Sequence, residues 1–113
     1  MMNQEILLKD NGIKIHPNVK TVGVVYIKDF NYLIKAEGQR VTVDNKELTR
    51  SINNYGMCTT PIVIKNSNKY TVIDGWHRVE VCRKINTPLL CVIIESEYPL
   101  QDIMIALNTT MFN

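Results

Sequence analysis

Tyr70-Thr71-Val72-Ile73-Asp74-Gly75-Trp76-His77-Arg78-Val79-Glu80-Val81 is the stretch on which the reading of this chain turns. Its first half is β-branched and aromatic, as a buried strand requires. Asp74-Gly75 ends that strand, and Trp76 to Asn86 reads as a helix with Val79, Cys82 and Ile85 on one side and Arg83 and Lys84 in its last turn. A strand that runs through glycine directly into a helix gathers free backbone N–H groups, an imidazole and a guanidinium at one point. Such a point suits an anion: the helix start is electropositive, Gly75 permits close backbone approach, and Arg78 can bind through both prongs of its guanidinium. The same local sequence also suits an aspartate cap and a glycine turn with His77 and Arg78 merely solvated.

Working outward, Pro61 to Lys65 and Lys69 to Ile73 read as two strands joined tightly at Asn66-Ser67-Asn68. Upstream, Asp44 to Tyr55 reads as a helix: Asp44 can cap it, Glu47 stands three residues on, and Leu48, Ile52 and Tyr55 recur at helical spacing before Gly56. Thr21 to Ile27 and the wholly apolar Leu89 to Ile94 read as buried strands. Phe30 to Ala36 reads as a short helical turn and then a strand, Glu37 to Arg40 as a polar loop, and Pro99 opens a last helix through Ile103, Met104, Ile105 and Leu107. The turn signals Asn11-Gly12 and His16-Pro17-Asn18 flank a short alternating run, which predicts a strand or hairpin arm. The order of elements predicts an α/β (α+β) domain, a small mixed sheet with flanking helices.

With 113 residues the chain has room for one core, and 45% hydrophobic against 21% charged residues excludes a disordered tail. A net charge of +2 is too small for DNA affinity by bulk charge, so duplex DNA is expected to bind the chain alone weakly. Cys58, Cys82 and Cys91 show neither zinc-knuckle nor redox-pair spacing and read as small buried hydrophobes, with no metal site expected. No apolar run is long enough to cross a membrane, and the N-terminus lacks a leader pattern; the expected location is cytoplasmic, with no membrane partner.

Several motifs together, in order, resemble the ParB/sulfiredoxin superfamily, in particular short ParB-like domains of phages and mobile elements. They are Tyr26-Ile27-Lys28-Asp29-Phe30, Gln39-Arg40, Leu48 to Gly56, Thr60-Pro61-Ile62-Val63-Ile64, and Ile73-Asp74-Gly75-Trp76-His77-Arg78. The resemblance covers roughly residues 22 to 110. It implies a ParB/sulfiredoxin-like domain over 21–113, preceded by the arm or hairpin at 1–20, that holds a nucleotide or nucleic-acid phosphate over the Gly-x-x-Arg turn. Gly75, Trp76, His77 and Arg78 would carry the phosphate, with Arg40 and Asn108 as supporting contacts. Relatives use the pocket for CTP hydrolysis, ATP-dependent sulfinic acid repair or serine phosphorylation, so CTP, ATP or ADP with Mg2+ are the cofactors implied. The setting implied is DNA-related work of a phage or mobile element.

Two departures narrow this. Trp76 stands where sulfiredoxin-like proteins carry a cysteine, so the repair reaction lacks its nucleophile. Of the Glu-Asn-x-x-Arg segment of CTP-hydrolysing partition proteins only Asn108 remains, and the chain stops at Asn113, where those proteins continue into a helix-turn-helix domain. The expectation is therefore a phosphate-binding domain whose catalysis is open. Phosphoryl transfer, NTP hydrolysis or phosphodiester cleavage is the reaction class, with Glu37, Asp74 and His77 as the candidate acid or base groups. The alternative is a catalytically inactive member of the fold that binds another protein or a second copy of itself.

Overall fold

In the computed structural model, which describes residues 3–9, 12–16, 19–37, 46–56 and 59–111, seven strands form one mixed sheet. The strands are β1 (Gln4–Leu7), β2 (Ile13–His16), β3 (Val19–Ile27), β4 (Leu33–Lys35), β5 (Ile62–Asn66), β6 (Lys69–Asp74) and β7 (Leu89–Ser96). A single 3-10 turn, Phe30–Tyr32, precedes β4, and the helices are α1 (Lys46–Tyr55), α2 (Trp76–Lys84) and α3 (Leu100–Met111). The strand order is β1-β3-β7-β5-β6-β4, with β2 also paired to β3. The fold is the mixed α+β architecture expected.

β3 and β7 form the centre of the sheet, antiparallel from Val19 opposite Ser96 to Ile27 opposite Leu89. Their alternate residues Val25, Ile27, Leu89, Cys91 and Ile93 are buried on one face, joined there by Val63 of β5, Val72 of β6 and Val79, Val81 and Cys82 of α2. Each large side chain fully withdrawn from water here, such as Ile27, Leu89 or Ile93, contributes about 1.5 to 3 kcal/mol of transfer free energy. A second cluster on the other face gathers Val19, Ala36, Ile73, Ile94 and Ile103 of α3.

The β5–β6 hairpin closes through two residues, Ser67 and Asn68, with Asn66 opposite Lys69. Ser67 takes a φ of 58°, as the first position of a type II′ turn requires. Within residues 1–20, β2 and the start of β3 pair antiparallel as a short hairpin, Lys14 opposite Lys20 and His16 opposite Val19, while β1 lies antiparallel on β3 further along, from Gly23 to Tyr26. α1 ends where expected, Gly56 taking φ 76° and its N–H closing on the Ile52 carbonyl at 2.9 Å. Ile52 and Leu48 face the core, whereas Tyr55, 79% exposed, turns away from it as the helix ends. The expected cap of α1, Asp44, lies outside the described residues.

α2 ends two residues before the expected Asn86. Asn86 adopts φ 56°, the Thr87 N–H reaches the Cys82 carbonyl at 2.9 Å, and the Asn86 N–H reaches the Arg83 carbonyl at 3.3 Å. This is a Schellman closure with asparagine in the left-handed position, set before the Thr87-Pro88 break.

Candidate functional site

The residues expected from the sequence to hold an anion lie where β6 passes into α2. Asp74 is the last residue of β6, opposite Ile62, and Gly75 is the N-cap residue of α2 at φ 89°, ψ 25°. A β-carbon at Gly75 would lie 3.0 Å from Pro61 Cα and 3.2 Å from Pro61 Cβ. Pro61 is buried, and its carbonyl accepts the Val92 N–H at 2.9 Å, which ties it to β7. Gly75 is thus required twice, by its left-handed backbone and by its contact with an anchored proline. Together these fix where α2 starts relative to the sheet.

The start of α2 is left open by its own sequence. Its N-cap Gly75 has no side chain to cap it, no described side chain does so, and the first amide to bond back is that of Arg78, to the Gly75 carbonyl at 3.1 Å. The Trp76 and His77 amides precede that bond and belong to the set that a helix cannot satisfy internally. α1 and α3 carry Glu47 and Asp102 in their first turns, which offset the helix dipole; α2 carries no acid there. Instead it carries His77 and Arg78, both half-buried, and neither makes a hydrogen bond or ion pair with a described residue. Burial raises the Cys82 thiol pKa, and the charge of Arg78, one turn earlier on the helix, partly opposes that rise.

The Trp76 side chain packs against the main core, with the Arg83 guanidinium 5.9 Å from its ring and 5.8 Å from that of Phe30. Arg83, expected in the last turn of α2, is thereby held over two aromatic rings.

Parallel pairing of β4 with β6 brings the candidate carboxylates to one end of the sheet. Lys35 lies opposite Val72, and the Ala36 N–H bonds to the Val72 carbonyl at 3.2 Å. Glu37 follows in an exposed turn, so it stands beside the end of β6 from which Asp74 and Gly75 emerge. Asp74 is half-buried and makes no side-chain hydrogen bond to a described residue. Arg40 lies outside the described residues, as does the side chain of Asn108, whose backbone belongs to α3. Among the described residues, no three of His, Cys, Asp and Glu come together as a metal site.

Two features had no signal in the sequence. Glu80 of α2 has Oε1 buried, without a hydrogen-bond partner among the described residues. On the α2-facing side of the sheet, Glu5 of β1 accepts hydrogen bonds from Lys65 Nζ at 3.0 Å and from the Tyr70 hydroxyl. β1 and β6 are four places apart in the sheet, roughly 19 Å if it were flat. Two side chains do not span that distance, so the sheet must curl toward this face. Burial raises the Glu5 pKa, but the hydrogen bonds from Tyr70 and Lys65 and the Lys65 charge outweigh it, and the carboxyl rests below its usual value. The Tyr70 phenol is pushed well above its usual range, by burial first and then by Glu5.

No protein-family model matches the chain, and no curated protein matches it. Among solved structures it is similar to the C-terminally truncated chromosome-partitioning protein ParB from Caulobacter crescentus complexed with CTP-γ-S, with a TM-score of 0.60 and 16% sequence identity. The match covers 78% of this chain and 53% of that one, so the chain spans about half the length of the ParB chain it matches. At this identity the likeness is one of fold: the chain has a ParB-like mixed α+β fold.

Proposed function

We propose that the protein is a nucleotide-binding module, holding the phosphates of a nucleoside triphosphate at the start of α2. The observation that carries this reading is the half-buried Arg78, without a partner among the described residues, beside a helix start whose N-cap Gly75 offers no side chain and whose first turn has no acid. A guanidinium withdrawn from water loses solvation that a bidentate phosphate contact restores. The Trp76 and His77 amides add donors, and the helix dipole favours the negative charge. His77 gives a further cation when protonated.

The choice of nucleotide leans on the fold neighbour, which is complexed with CTP-γ-S. Mg2+ fits this reading as a companion of the triphosphate, because it is held largely by phosphates and water with one or two carboxylates. Asp74 and Glu37, at the same end of the sheet, are the carboxylates placed to meet it. If the module is catalytic, these two and His77 are its candidate acid and base groups, and hydrolysis or transfer of the terminal phosphate is the reaction. A DNA-related role in a phage or mobile element rests on the sequence resemblance alone.

Calorimetry with CTP, ATP and ADP, each with and without Mg2+, tests the proposal. A saturable isotherm with at least one triphosphate is expected, weakened in Arg78→Ala by about 1.5 to 3 kcal/mol, the range for hydrogen bonds to charged groups. Arg78→Lys should also weaken it, since the planar fork is lost. Equal binding by all three proteins, or none at millimolar nucleotide, overturns it.

A further inference from the structure

The outer edge of the sheet carries apolar side chains that the described residues leave uncovered. β1 is the terminal strand on its side, and Ile6, Leu7 and Leu8 are 60%, 55% and 40% exposed. The Leu8 N–H bonds inward to the Val22 carbonyl at 2.8 Å. Because antiparallel pairing alternates, Gln4, Ile6 and Leu8 direct their backbone groups to β3, and Glu5 and Leu7 direct theirs outward. Exposed edges are ordinarily guarded by proline, by a charge on the strand or by a covering segment. The run Gln4 to Leu8 has no proline, and its single charge, Glu5, is drawn across the curled face to Lys65 and Tyr70.

We propose that β1 pairs, antiparallel and about a two-fold axis at Leu7, with β1 of a second copy of this chain. The edge is self-complementary in that register. With Leu7 opposite Leu7, Ile6 faces Leu8 of the second copy, so apolar meets apolar, and Glu5, already held by Lys65 and Tyr70, lies opposite its Lys9, so no like charges are opposed. The neighbouring registers lose this match. Centring on Glu5 or Lys9 opposes like charges, and centring on Ile6 or Leu8 sets Leu7 against Glu5 or Lys9. A two-fold pairing closes on itself and leaves neither β1 edge free to recruit further copies. The pairing buries a single strand edge per copy, which places it among small, reversible interfaces.

Sedimentation equilibrium of the full chain tests this. The mass should rise from 13.0 kDa toward twice that value over a concentration range of roughly 1 µM to 1 mM. Leu7→Lys, which places two ammonium groups on the axis, should weaken association at least tenfold while leaving the thermal melting curve unchanged at low concentration. Leu7→Cys in a Cys58→Ser background should cross-link between copies under mild oxidation, because opposed residues lie within disulfide reach, whereas Lys9→Cys in the same background should not. A wild-type chain that stays monomeric to 1 mM, as it would if the edge served only to receive a peptide from another protein, overturns the proposal. So does Leu7→Lys associating as wild type does, or Lys9→Cys cross-linking in preference to Leu7→Cys.

Discussion

The molecule holds two polar clusters at opposite ends of β5, and they are built in opposite ways. Near Lys65 the cluster is complete: Glu5 is met by Lys65 and Tyr70, and the whole serves to fasten β1 across the curl of the sheet. Near Pro61, where α2 begins, the groups are close together but not to one another's benefit. His77 and Arg78 have no partners among the described residues, and the helix start has no side-chain cap among them. A charge satisfied within the fold acts on stability, whereas one left unsatisfied in a half-buried place reserves its interaction for something that binds. The contrast gives Glu5 a structural role and supports the ligand role proposed for Arg78.

The largest effect is expected where geometry rather than charge is broken. Gly75→Ala must strain a left-handed backbone and press on Pro61, so urea denaturation should show a loss of about 2 to 4 kcal/mol. Gly56→Ala, at φ 76° but with no described atom within 4 Å of the added carbon, should lose only about 1 to 2 kcal/mol. Equal losses at the two glycines would show that the Pro61 contact does not constrain α2.

Arg78→Ala should leave the denaturation midpoint within about 0.5 kcal/mol of wild type, the usual range for surface changes, while nucleotide affinity falls as stated above. Tyr70→Phe should do the reverse, costing about 1 kcal/mol of stability for one hydrogen bond to a partly exposed carboxylate, with affinity unchanged. If both variants altered both quantities, the division between the two clusters would fail.

Smaller still is the pH dependence of the Glu5 cluster. Its carboxyl has a folded pKa below the unfolded value, so its contribution is present above about pH 4.3 and is lost as pH falls through the folded pKa. Glu5→Gln should flatten the acid side of a stability profile in that window. On the alkaline side, burial and the neighbouring Cys82 thiol push Cys91 up to about 12. Its contribution is therefore present below about pH 8.5 and is lost as pH rises from there through the folded pKa, a decline that Cys91→Ala should lessen.

The start of α2 was legible because its signals are local: a β-branched run, Asp-Gly, and two basic residues within one helical turn. The β5–β6 hairpin was legible for the same reason, as was the burial of Cys82 and Cys91 among apolar neighbours. The contact that fixes Gly75 was not legible, because Pro61 lies fourteen positions earlier and meets it only once β5 and β6 have paired. Glu5 and Tyr70 are 65 positions apart, and no pattern in the sequence announces that the sheet curls. The placement of β1 on β3 was unreadable too, since pairing order is decided by competition among strands of similar composition. Trp76 combines both readings: its position marks it for a ligand, and its partly buried ring packs against the core.

The claim that phosphate is held at the start of α2 is tested most directly by titrating 15N-labelled protein with CTP and Mg2+ and following the backbone amides by NMR. The account predicts saturable shifts that are largest at Gly75, Trp76, His77 and Arg78, with Glu5, Leu7 and Tyr70 unmoved. Shifts centred on β1, or a spectrum unchanged at millimolar nucleotide, would contradict it.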